Sequence, residues 1–156
     1  MIATGAGVSG TLLPMVASAA AGAAKEKSSP PASVRIADLA SLKVDVPVPF
    51  TYPDENSPAL LVRMKQAVPG GVGPDGSIVA YSQLCTHKGC PVAYRPERKL
   101  LICPCHWSSF DPAKAGQMVI GQGSQPLPRI VLRVEGAAVH AMGVDGLIYG
   151  RHTNVL

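Results

Sequence analysis

Two short stretches restrict this chain more than anything else in it: "CTHKGC" at Cys85 to Cys90 and "CPCHWSSF" at Cys103 to Phe110. Together they hold all four cysteines and two of the four histidines. An all-cysteine zinc site would need C-x4-C followed by C-x-C, and the second pair is tighter than structural zinc sites ordinarily take. Two disulfides suit an oxidising compartment and allow three pairings, but they leave His87 and His106 without a role. A mixed reading uses every residue: Cys85, His87, Cys103 and His106 as metal ligands, with Cys90 and Cys105 left to bond to each other. Two thiolates and two imidazoles serve either a mononuclear zinc site or a diiron cluster, and the donor set leaves both open. Zinc accounts for the ligands but not for the spare cysteine pair, Pro104 or the run "WSSF".

Both boxes follow strand-like runs, so the donors are expected on loops that leave strand ends. The run "SIVAYSQ" at 77–83 precedes the first box and "KLLIC" at 99–103 enters the second. Other strand signals are "ALLVRMK" at 59–65, "MVIGQG" at 118–123, "RIVLRVE" at 129–135, "AVHAMG" at 138–143 and "GLIYG" at 146–150. Turn residues at 69–76, 125–128 and 144–146 separate them. The segment "SVRIADLASLKV" fits a short helix or a strand followed by a turn. With 16 glycines, 15 prolines and aromatics at only 4%, short strands and many turns are favoured over long helices. The expected fold is all-β, an antiparallel sandwich or partly open barrel with a small lobe carrying the cysteine loops at about 84–128.

A chain of 156 residues suffices for one core, expected over 33–156. Residues 1–24 carry no charged side chain and end in small residues with A-x-A possibilities at Ala17-Ser18-Ala19 and Ala21-Gly22-Ala23. This reads as an export leader, with a membrane anchor as the alternative; its Ala, Gly, Ser and Thr content and Pro14 weigh against the anchor. Residues 25–32, "KEKSSPPA", read as a linker. A net charge of +4 from scattered basic residues shows no footprint of nucleic-acid binding.

The two boxes match in order and spacing the signature boxes of the Rieske iron-sulfur family, and "GQGSQPLP" resembles that family's third, proline-containing loop, with Pro126 beside the cluster. More closely, the stretch from "PGGVGPDG" through the boxes to "LPRIVLRV" and "GVDGLIYGR", roughly Phe50 to Leu156, looks like the small subunits of arsenite oxidases. The resemblance implies a [2Fe-2S] cluster held by Cys85, His87, Cys103 and His106, with one of the histidines near the surface and a Cys90–Cys105 disulfide stapling the loops. It also implies a large subunit carrying a molybdenum pterin and its own iron-sulfur cluster. The expected function is to pass electrons from that subunit to a soluble cytochrome c or copper protein, in the periplasm after export by a twin-arginine-type route. The catalytic molybdenum centre would lie on the partner. The competing reading is the Rieske subunit of a quinol-oxidising cytochrome bc-type complex. A zinc module and the ferredoxin component of a ring-hydroxylating dioxygenase are further rivals, the latter usually lacking the bridging disulfide.

Replacing two anionic thiolates by neutral imidazoles leaves the cluster less negative, so the potential rises to roughly −150 to +300 mV from about −400 mV in plant-type all-cysteine clusters. By resemblance, Ser108 donates to a bridging sulfide. Phe110 stands where quinol-oxidising relatives carry a tyrosine whose hydroxyl reaches a ligand sulfur, so the expected potential lies between those relatives and the all-cysteine clusters. Trp107 is expected in packing or at an interface. His140 and His152 fit no ligand spacing and are expected to be structural and solvated, respectively.

Overall fold

A computed structural model describes residues 1–3 and 33–154. The expected leader, beyond its first three residues, and the linker lie outside the described residues. Among the described residues no helix is long and apolar enough to cross a membrane.

Among the described residues ten strands form two antiparallel sheets: β1 (Val34–Asp38), β2 (Val48–Thr51), β3 (Pro58–Arg63), β4 (Ile78–Ser82), β5 (Ala93–Arg95), β6 (Leu100–Ile102), β7 (Ser109–Asp111), β8 (Gln117–Ile120), β9 (Arg129–Glu135) and β10 (Ala138–Asp145). The larger sheet runs β1-β10-β9-β4-β3-β2 and the smaller β5-β6-β7-β8. The expected all-β architecture is what is found, with only short 3-10 turns at Leu39–Ser41 and Pro112–Lys114 among the described residues. The ambiguous segment near the start is strand β1 followed by the first of these turns.

Strands β3 and β4 read as continuous apolar runs because both of their faces are covered. Alternation divides their side chains between two cores. Leu60, Val62, Val79 and Tyr81 face a core shared with Val92, Tyr94, Leu101, Phe110 and Leu127 of the smaller unit. Ala59, Leu61, Ile78 and Ala80 face the other way, onto Leu42, Tyr52, Ile130, Val139 and Ala141. The β3–β4 hairpin is thus a wall between two interiors, and Cys85 and Cys103 belong to the first of them.

One expected strand is absent. "GLIYG" at 146–150 is a turn-rich segment, because Gly146 and Gly150 take φ of +94° and +81° and its backbone groups bond elsewhere. Asn154 supplies them: its Oδ1 accepts from the Ile148 N–H at 3.2 Å and its Nδ2 donates to the Gly146 carbonyl. The expected turn at 144–146 begins later than read, since Val144 and Asp145 still pair with Ile130 and Arg129 in β10. Strands β2, β5 and β7, each three or four residues long, fall outside every expected strand.

The smaller sheet is tied to the larger by polar contacts at both ends. The Tyr81 hydroxyl donates to the Pro112 carbonyl at 2.9 Å, and burial pushes its pKa up to about 12. At the other end Asp45, in the left-handed region at φ 62°, accepts from the Tyr94 hydroxyl at 2.7 Å and from the Lys99 ammonium. The Lys99 hydrogen bond, helped by Tyr94, outweighs burial and holds the Asp45 carboxyl below its usual range. Tyr94→Phe is therefore expected to lower stability by about 1.5–3 kcal/mol, the range for a hydrogen bond to a charged group, read by urea unfolding at neutral pH. A carboxyl whose folded pKa is depressed contributes stability above its unfolded pKa, about 3.9. The Tyr94→Phe penalty should shrink as the pH falls from there through the lower folded value.

Candidate metal centre

The first box leaves β4 through Gln83 and Leu84, and the second leaves β6 at Cys103. The two loops close with the same hydrogen bonds. In the first, Cys85 N–H donates to the Cys90 carbonyl at 3.0 Å and the Cys85 carbonyl accepts from Gly89 N–H at 2.8 Å. In the second, Cys103 N–H donates to the Ser108 carbonyl at 2.9 Å and the Cys103 carbonyl accepts from Trp107 N–H at 3.0 Å. The fourth residue after each cysteine must turn left-handed to do this. Gly89 takes φ 73° at no steric cost, whereas Trp107 takes φ 62° against the preference of an L side chain. The Ser109 hydroxyl, donating to the Trp107 carbonyl at 3.0 Å, supports that conformation.

The donors are sorted by kind. Cys85 and Cys103 are buried, and their thiols are in hydrogen-bonding contact. Burial first, then the neighbouring Cys103 sulfur, pushes the Cys85 thiol up, while N–H groups of His87 and Lys88 directed at that sulfur act the other way. Outside the thiols, the rings of His87 and His106 meet edge to face with centroids 4.7 Å apart. His87 is half-buried and His106 exposed. Each loop thus gives one sulfur to an inner pair and one nitrogen to an outer pair.

Cys90 and Cys105 form a disulfide joining the loops, with Cα atoms 6.5 Å apart. Their sulfurs and that of Cys103 lie within 4.8 Å of one another. Two of those three sulfurs are consumed by the bridge, so this trio is a staple beside a ligand position and not a metal site of its own.

The residues at 121–127 hold both loops from the side. Thr86 Oγ1 donates to the Gln125 carbonyl at 2.7 Å, and Ser124 Oγ donates to the Thr86 carbonyl at 2.9 Å. Ser108, fully buried, accepts from the Gln122 N–H at 3.0 Å, which leaves its hydroxyl proton available to another acceptor. Gly121 makes this approach possible: a Cβ there would lie 2.4 Å from the Ser108 Cα. Pro126 is exposed beside this loop, whereas Phe110 is wholly buried in the core that contains the two thiols. Trp107 stands 70% exposed next to His106. His140 lies on β10 between Ser33, 3.3 Å away, and Glu135, 3.9 Å away. Thr86, Gly121 and Gln125 were not singled out in the sequence. Each carried a signal: Thr86 its place between two donors, and Gly121 and Gln125 their place in "GQGSQPLP".

A donor set with a buried sulfur pair, an outer nitrogen pair, N–H groups aimed at one sulfur and a buried hydroxyl with a proton to give fits a cluster with two metal centres of different ligation. Such a cluster supplies one-electron transfer when bound. The comparisons agree. Residues 33–131 match the family model described as the Rieske [2Fe-2S] domain. The chain is similar to the iodate reductase subunit IdrB of Denitromonas iodatirespirans, 40% identical over 78% of this chain and 68% of that protein. It is also similar to the IdrB subunit of Pseudomonas sp. (strain SCT), 41% identical over 74% of this chain and 62% of that protein. Its fold is that of the soluble domain of Rieske protein II from Sulfolobus acidocaldarius, with a TM-score of 0.65 at 23% identity, covering 78% of this chain and 82% of that one.

Replacing both bridge cysteines, Cys90→Ser with Cys105→Ser, should lower stability by about 3 kcal/mol, the loop-closure value for a loop of this length, measured by denaturant unfolding. Phe110→Tyr should raise the midpoint potential by about 40 mV if one ordinary hydrogen bond of ~1 kcal/mol forms to a ligand sulfur. A redox titration followed by visible absorption reads that shift. The paired donors and the matched family model together place this chain in the Rieske [2Fe-2S] domain family.

Proposed function

We propose that this chain is the electron-transfer subunit of an oxidoreductase whose catalytic centre lies on a larger partner subunit. In this reading Cys85 and Cys103 hold one iron of the cluster, and His87 and His106 hold the other. The observation that carries it is the outer imidazole pair: His106 is exposed and touches His87. The nitrogen-ligated iron would then stand where a second redox centre can approach, while the sulfurs remain in the core. No bond of a substrate is made or broken on this chain.

The partner we infer is a large subunit with a molybdenum pterin and its own iron-sulfur cluster. The sequence resemblance pointed to arsenite oxidase, with electrons leaving through this chain to a cytochrome c or copper protein. The IdrB relatives, at 40% and 41% identity, favour iodate reductase, in which electrons would enter through this chain. Both belong to one chemical class, two-electron conversion of an oxyanion coupled to single-electron steps through the cluster. Phe110, without a hydroxyl, supports neither the quinol-oxidising reading nor the highest potentials in the family. We place the protein in an oxidising, exported location, which the Cys90–Cys105 bridge favours.

The complex purified from its source organism tests this. Arsenite bleaching the oxidised cluster would support an arsenite oxidase, and iodate restoring the colour of the reduced cluster would support an iodate reductase. Reduction by a quinol alone, with no response to either oxyanion, would overturn both. Separately, His87→Ala or His106→Ala should each abolish the paramagnetic signature of the reduced cluster, and an unchanged signature in either variant would remove that residue from the ligand set.

A further inference from the structure

The segment after β10, residues 146–154, meets the first box at Gly89 and is fastened along its length. Ile148 is buried at 1% exposure, and Arg151 N–H donates back to its carbonyl at 3.2 Å. The Arg151 guanidinium pairs with Asp54 and donates to Ser57 Oγ at 2.7 Å. Gln125 Nε2 donates to the Leu147 carbonyl at 2.9 Å, and Asn154 closes the segment on Ile148 and Gly146. None of these attachments involves a donor residue of either box.

Between the fastenings, the Tyr149 ring rests directly on Gly89. A Cβ at Gly89 would lie 2.6 Å from Tyr149 Cδ1 and 2.7 Å from Cε1, so the ring fills the space a side chain there would need. Gly89 donates the N–H that closes the first loop on the Cys85 carbonyl. That closure carries His87, and with it the His87 and Lys88 N–H groups directed at the Cys85 sulfur.

We propose that Tyr149 is a positioning residue for the cluster: its ring, held by the 146–154 strap, presses on Gly89 and fixes the conformation of the Cys85–Cys90 loop. This rests on the assignment of Cys85 and His87 as ligands. The strap acts through the backbone of the loop, and the aromatic ring rather than the hydroxyl does the work. Hydrogen bonds to ligand sulfur stabilise the reduced, more negative state. Loosening the loop weakens those from His87 and Lys88, so the potential falls and the cluster is lost more readily.

The test uses the full chain in its native complex, as wild type, Tyr149→Phe, Tyr149→Ala and Tyr149→Leu. The leucine variant removes the flat ring over Gly89 but keeps enough apolar surface for the chain to accumulate where alanine does not. Midpoint potential, the g-values of the reduced cluster, and the rate of colour loss on mild warming are read beside thermal stability. Wild-type behaviour in Tyr149→Phe, with a lower potential, shifted g-values and several-fold faster colour loss in Tyr149→Ala or Tyr149→Leu, supports the proposal. An unchanged or raised potential in those variants overturns it, even where the melting temperature drops, and so does a Tyr149→Phe variant that behaves like them. A paramagnetic signature that survives His87→Ala sinks the ligand assignment itself, and this proposal with it.

Discussion

Two ionisable sulfurs stand inside an apolar core, and the architecture of the smaller unit follows from keeping them there. Cys85 and Cys103 share their surroundings with Val79, Tyr81, Leu101 and Phe110. An uncompensated thiolate in such a place is costly, as the raised Cys85 thiol shows. A bound metal centre compensates it, because metal binding and deprotonation are coupled. The β3–β4 wall makes this geometry possible by giving the thiol-containing core a floor that the second core supports from below.

The loops above that floor are short and contain few apolar side chains, so burial alone would not hold them. Their order comes from hydrogen bonds that repeat in both, from the Cys90–Cys105 bridge between them, and from residues 121–127, which bond Thr86 on one side and Ser108 on the other. The strap at 146–154 adds support only to the first loop, through Tyr149 and Gly89. The second loop instead places its own Trp107 in the left-handed position and leaves the ring in solvent. The two loops are alike in backbone and different in what covers them, which puts exposed His106 on the open side and half-buried His87 on the supported one.

Legibility in the sequence followed the range of the interaction concerned. The candidate donors stood out because metal ligation requires particular residue types at fixed local spacing. The long strands β3, β4, β9 and β10 were readable because their apolar patterns run for five residues or more. The three-residue strands β5 and β7 leave no periodic trace of their own, whereas the equally short β6 showed because it sits in the apolar run "KLLIC". The segment 146–150 misled because Ile148 is buried between half-exposed Leu147 and Tyr149, the alternation of a strand, while its hydrogen bonds go to Asn154. Phe110 was noticed for what it lacks, and its complete burial gives it a packing role as well. Tyr149 and Gly89 lie 60 positions apart, and no spacing rule joins them.

Within the proposed function, the donor set explains why this chain alone does not name an oxyanion. Four ligands and their surroundings set the energy of one electron, whereas the identity of the oxyanion is decided where its oxygen is added or removed. In the proposed function, what the chain would control is the driving force of each single-electron step, because electrons move toward the centre of higher potential. On the proposed ligand assignment, the Ser108 hydroxyl, the N–H groups at Cys85 and the missing hydroxyl at Phe110 would all act on that potential in the same environment. In that reading a cluster tuned above the centre of a partner subunit would draw electrons from it readily, and one tuned below would deliver them readily. One fold with one ligand set can therefore serve an oxidase or a reductase through changes in the hydrogen bonds to sulfur.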